Sequence, residues 1–299
     1  MGARAVRRMC VLGVAVAVLA GCGSSKSGTT GTTGTTTTSS VPTVTEDASL
    51  ASLVPPAIRQ TGTIKVSTHS PFPPGELSTT VGMDQELMRA IGAVLGLKPE
   101  FVQERFQKIL PNVENGNNTV GAASVTDTKG REKTVQLVTY LSPGEAFLTR
   151  PGGPRITALN QLCGHRVSTI EHTVELEHVL YQSVKCHSEG RKTLDVSVFP
   201  ELEEQALPAL LDGQAEILYA DGPAIEYQKR KLGDKVELSP APTAHEPYGF
   251  VLAQTSGLAR PMVEALKVLI KNGTYAAILK RWHLQQDAIS EPVIDGAIH

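Results

Sequence analysis

The chain has 299 residues, 40% hydrophobic, 19% charged and only 4% aromatic, enough apolar mass for one large domain or two smaller ones and too much for a chain disordered throughout. Lys and Arg (28) nearly balance Asp and Glu (30), for a formal net charge of -2; no long basic block occurs, so the electrostatic footprint of a nucleic-acid binder is missing. Four cysteines are too few for a disulfide scaffold, and no apolar run reaches the roughly 20 residues needed to span a bilayer.

The first residues read as an export signal. Arg4, Arg7 and Arg8 form a basic start, an apolar stretch runs from Val11 to Ala20, and small residues follow. The segment ends in Leu19-Ala20-Gly21-Cys22, which resembles the lipobox of bacterial lipoproteins. That resemblance implies a signal peptide over 1–21, in which Cys10 is discarded. It also implies acylation of Cys22, as with palmitate, and a lipid anchor on the extracytoplasmic face of the cell membrane. An ordinary cleaved signal with a cysteine beside it is the alternative. From Gly23 to about Thr45 nearly every residue is Ser, Thr or Gly, and nothing there can fill a core. Residues 22–52 are therefore expected to be a linker, and its stretch of about two dozen flexible residues a tether with a reach of roughly 25–30 Å.

The folded part is expected to begin near Leu53. Thr63 to Thr68 reads as a strand, and Pro71, Pro73 and Pro74 make the following loop unable to continue it. Leu87, Met88, Ile91, Val94 and Leu95 recur at helical spacing, with Asp84 as the expected N-cap and Gly96 as the stop. A strand over Pro99–Val102, a helix around Ile109–Val113 and a small-residue strand from Val120 to Val125 come next. In the second half Arg166–Ile170, Leu194–Phe199 and Glu216–Ala220 read as strands around a helix from Thr173 to Val184. Strand and helix in alternation imply an α/β layered fold. Pro/Gly punctuation at Arg150–Pro154 and Ser239–Thr243 marks two expected crossovers, near Gly152 and Pro242. They would leave one lobe of 53–150 and 244–299, and a second of 151–243. Tyr248–Leu252 returns as a strand, and helices over Leu258–Ile270 and Tyr275–Trp282 close the chain.

Four segments carry a resemblance across Leu53 to Ile294: Val81-Gly82-Met83-Asp84, Thr126-Asp127-Thr128-Lys129-Gly130-Arg131-Glu132-Lys133, Glu246-Pro247-Tyr248-Gly249, and Asn272-Gly273-Thr274-Tyr275 with Leu279-Lys280-Arg281-Trp282. In order and spacing they resemble the extracytoplasmic solute-binding proteins that feed ABC importers, specifically the polar amino-acid group. The resemblance implies a two-lobed periplasmic-binding-protein-like fold of type II with two hinge crossings. It implies a monomer that takes a small amino acid, needs no cofactor or metal, and partners with a membrane permease.

A free amino acid is a zwitterion, so a closed cleft must offer a cation and donors to its carboxylate and an anion to its ammonium. The similar proteins place Arg131 on the carboxylate, helped by Ser124 and Thr126, and Asp221 on the ammonium. The bland alternatives are a surface arginine after a turn and an aspartate that caps a helix. Thr173 matches a helix N-terminus whose free N–H groups attract carboxylates, although His172 replaces the usual glycine and Val174 the following hydroxyl. Phe72 and Phe106 match aromatic contact positions. Gly75 stands where another aromatic is usual, which suggests a roomier pocket, and His69 stands where an acid often sits. The missing acid argues for a neutral or acidic polar ligand over lysine or arginine.

In an exported chain Cys163 and Cys186 form a disulfide most simply; His165 and His187 beside them leave a zinc site as the sharper alternative. No G-x-S-x-G elbow, H-E-x-x-H, phosphate loop or dinucleotide fingerprint occurs, so a binding protein is expected and not an enzyme. Relatives on the same fold include dehydratases and sensor domains. A lipid-anchored sensor or partner-binding protein is therefore the second reading, and a dehydratase-like enzyme a distant third.

Overall fold

The folded body starts earlier than the expected end of the tether. The computed structural model describes residues 42–240 and 245–299. The expected signal peptide with Cys10, the expected lipidation site Cys22, residues 22–41 of the expected tether and Pro242 lie outside the described residues. Helix α1 (Ala48–Ala51) is capped by Asp47, whose carboxylate accepts from the N–H groups of Ser49 and Leu50. The Asp47 N–H donates to the Val94 carbonyl at 2.9 Å, and Ala51 and Val54 are buried. Residues from Asp47 onward thus belong to the body and correct the tether boundary at 52.

Helix α2 (Pro56–Thr61) leads into β1 (Thr63–Thr68), followed by α3 (Met83–Leu95), β2 (Lys98–Gln103), α4 (Phe106–Glu114), β3 (Val120–Gly121) and β4 (Val135–Leu141). Helix α3 buries Leu87, Met88, Ile91, Val94 and Leu95 and ends at Gly96, whose φ of 67° supplies the left-handed stop. Its N-cap is Gly82 and not Asp84. Asp84 points inward instead, fully buried, where its Oδ2 accepts from the Ser124 N–H at 2.7 Å. Strand β3 is also shorter than the run to Val125 suggested, because Ser124 takes a φ of 47° that no strand can hold.

The chain then crosses to a second sheet through Ser142-Pro143-Gly144. Strand β5 (Glu145–Thr149) pairs antiparallel with two partners, β8 (Ile217–Asp221) and β9 (Glu237–Pro240). Between them come β6 (Arg166–Ile170), α5 (Val174–Ser188), β7 (Asp195–Phe199), α6 (Leu207–Leu211) and α7 (Gly222–Leu232). This corrects the expected boundary at 151 and the hinge near Gly152. The Pro/Gly cluster there is the turn that ends β5, with the Gly153 N–H on the Arg150 carbonyl. All five β5 residues are buried inside the second sheet. The return crossing leads to β10 (Tyr248–Ala253), α8 (Ala259–Lys271) and α9 (Thr274–Trp282).

Two mixed five-stranded sheets result, ordered β2-β1-β3-β10-β4 and β7-β6-β8-β5-β9. The first half has a large core under α3, α8 and α9 and a smaller one around Ile109, Val125 and Val251, and the C-terminal tail locks onto β4, where the Thr139 N–H donates to the Val293 carbonyl at 2.9 Å. The second half is divided into smaller clusters. A bond between Cys163 and Cys186, with Cα atoms 5.8 Å apart, ties the approach to β6 to the end of α5, which excludes the zinc alternative for this pair. No helix among the described residues is long and apolar enough to cross a membrane.

Candidate functional site

All eight side chains singled out from the sequence line one pocket between the two sheets. From the first half come His69 and Phe72 in the loop after β1, Phe106 at the start of α4, Ser124 and Thr126 after β3, and Arg131. From the second half come Thr173, at the N-cap of α5, and Asp221, at the end of β8. Strand ends from both sheets converge here because parallel strands deliver their loops to one edge.

Arg131 is positioned by the backbone. Its guanidinium donates to the Thr126 carbonyl at 2.6 Å and, across the cleft, to the His172 carbonyl at 3.1 Å, and its Cζ lies 5.8 Å from the Phe106 ring centroid. Burial lowers its pKa, while the charges of Glu175, Glu177 and Asp221 oppose that shift. His172 adopts a φ of 63°, a left-handed conformation that glycine takes readily. Helix α5 starts just beyond it, with the Thr173 hydroxyl accepting from the Leu176 N–H at 3.4 Å.

Gly75 does not enlarge the pocket. A Cβ there would stand 2.3 Å from the Ser124 Oγ, so the Ser124 side chain fills the space that a larger residue would take. His69 bridges the halves, with Nδ1 3.2 Å from the Glu104 carbonyl oxygen and Nε2 3.3 Å from Glu201. Phe72 reaches over to pack on the second half's core. With Arg131 on His172, and the Tyr248 hydroxyl donating to Asp221, these contacts hold the cleft shut.

The anionic side of the pocket is richer than the sequence suggested. Asp221 is buried, and burial pushes its pKa up to about 7; the Tyr248 hydroxyl opposes that shift and the Glu145 charge adds to it. Glu175, at the second position of α5, also lines the pocket at 1% exposure. Burial, then the charges of Asp221 and Glu145, raise it well above the carboxylate range. Sequence reading missed Glu175 because an acid in the first turn of a helix is ordinarily a solvated partner of the helix dipole. It also missed Ala123, Ile170, Pro200 and Leu202, apolar residues at element ends that carry no signal beyond packing.

Residues 64–285 match the family of bacterial extracellular solute-binding proteins, family 3. An arginine-binding protein of Corynebacterium glutamicum is 26% identical over 251 residues, covering 82% of each chain. Among solved structures, an ancestral arginine-binding protein bound to arginine is 29% identical with a TM-score of 0.66, covering 74% of this chain and 98% of that one. An ancestral arginine-binding protein bound to glutamine is 30% identical with a TM-score of 0.64, covering 74% and 97%.

Proposed function

The chain belongs to the bacterial extracellular solute-binding proteins, family 3, and from that premise we propose that its cleft captures a free polar amino acid by closure of two lobes and hands it to an ABC importer. The observation that carries this reading is charge placement. Arg131 from one half and Asp221 from the other line a single pocket, so a zwitterion that bridges them draws the halves together. The ligand carboxylate takes Arg131, Thr126 and the N–H groups at the start of α5; the ammonium takes Asp221. Ser142-Pro143-Gly144 and the return segment before Tyr248 serve as the hinge.

The closed form is the one a permease reads. Cys22 carries the lipid that keeps the protein, as a monomer, at the extracytoplasmic face of the membrane, and residues 22–46 are the tether. No chemical step is assigned to the site. The arginine-bound and glutamine-bound relatives support both a basic and a neutral side chain. A thermal-shift panel of free amino acids tests the reading: at least one polar amino acid should raise Tm, and Arg131→Ala should abolish that rise. A panel in which no amino acid shifts Tm would contradict it.

A further inference from the structure

A simple zwitterion does not engage every buried polar group of this pocket. It satisfies Arg131 and Asp221 and leaves Glu175 over, in the same wall. A smaller chamber shares Thr126, Glu175 and Asp221 with the pocket and is completed by Glu145, Glu246, Tyr248 and the crossing at Gly144. Its carboxylates differ in what holds them. Glu145 is engaged by the Tyr219 hydroxyl and by His178 at 3.0 Å. Glu175 is 1% exposed and its Oε1 has no hydrogen-bond partner; the Glu246 Oε2 is buried in the same condition.

A carboxyl oxygen withdrawn from water and left unpaired destabilises the fold, so it persists where something else completes it. Two structural explanations fit poorly. As a partner of the helix dipole Glu175 would gain more at the surface, and as a counter-ion of Arg131 it would receive the guanidinium donors that go instead to Thr126 and His172.

We infer that Glu175, with Glu246 in the same chamber, forms a second cation subsite beside the Asp221 ammonium position, so that the preferred ligand is an amino acid with a basic nitrogen in its side chain. This rests on the amino-acid-binding reading and reverses the expectation drawn from His69. The carboxylate denied by His69 at one end of the cleft is supplied by α5 at the other.

Isothermal titration of the full chain with lysine, ornithine, arginine, glutamine, glutamate and norleucine tests it; norleucine is close to lysine in shape and lacks the side-chain charge. At least one basic amino acid should bind more than about tenfold tighter than glutamine and norleucine. Glu175→Gln should remove about tenfold or more of that preference. Neutral or acidic ligands binding as tightly as the basic ones in the unmodified protein would overturn the inference while leaving the amino-acid reading intact; this comparison needs no variant. A Glu175→Gln protein that loses affinity equally for every ligand would also overturn it, as a structural role would. Absence of binding to all six would remove both.

Discussion

The two halves of the cleft carry opposite charge and are stiffened by different means. The first presents Arg131 and the hydroxyls of Ser124 and Thr126 from a larger core closed by the C-terminal tail. The second presents Asp221, Glu175 and a helix N-terminus from a divided core stapled by Cys163–Cys186. Neither half alone can satisfy a zwitterion, and the charges the first half can pair are those the second half cannot. On the proposed reading the contrast makes closure and recognition one event, with the ligand as the missing counter-ion between two surfaces of opposite sign.

The contrast is broken most severely from the cationic side. Arg131→Ala should weaken amino-acid binding by about 2–4 kcal/mol, because the ligand carboxylate is then buried without its partner; calorimetry reads the loss. Removing the staple attacks the other half. Cys163→Ser with Cys186→Ser opens a loop closed across 23 residues of sequence and should lower the stability of the second half by roughly 3 kcal/mol in the chain-entropy model. Hydrogen exchange should place that loss in β6, α5 and β7, with the first sheet little changed.

Proton competition probes the anionic side more gently. Asp221 has its pKa near 7, so below that pH the ligand ammonium must displace a proton, and affinity should be about tenfold weaker at about pH 6 than at about pH 8. Stability without ligand runs the other way. Burial also raises Asp127 to about 7 and Asp287 to about 6. These folded-state carboxyls hold protons that the unfolded chain has released above about pH 4, and the apo protein should lose stability as pH rises through 6 to 7. A titration in which apo Tm and ligand affinity move together would contradict this. The smallest effect is expected from Asp84→Ala, which frees the Ser124 N–H; it should cost about 1 kcal/mol of binding.

The candidate residues were reached through resemblance: Arg131 with Ser124 and Thr126, and Asp221 at the end of a buried strand, stand where the similar proteins hold a carboxylate and an ammonium, and the structure brings them into one pocket. What was not legible depends on distant partners. Asp84 satisfies the short-range pattern of an N-cap, yet its partner is Ser124, 40 residues away. The first crossing is only Ser142-Pro143-Gly144, set between two buried strands, while the longer Pro/Gly cluster after β5 ends a strand; turn chemistry says that a strand stops and not which sheet it joins. Glu175 is indistinguishable in sequence from any solvated first-turn acid until the other half covers it.

The opposed charges make their sharpest demand on the ligand's own ends. Calorimetric titration with a bound amino acid, its N-acetyl derivative and its carboxamide tests that demand directly. Binding of the free amino acid and a loss of about 100-fold or more for each blocked form is the expected result. A derivative lacking its ammonium or its carboxylate that binds as tightly as the parent would contradict the account.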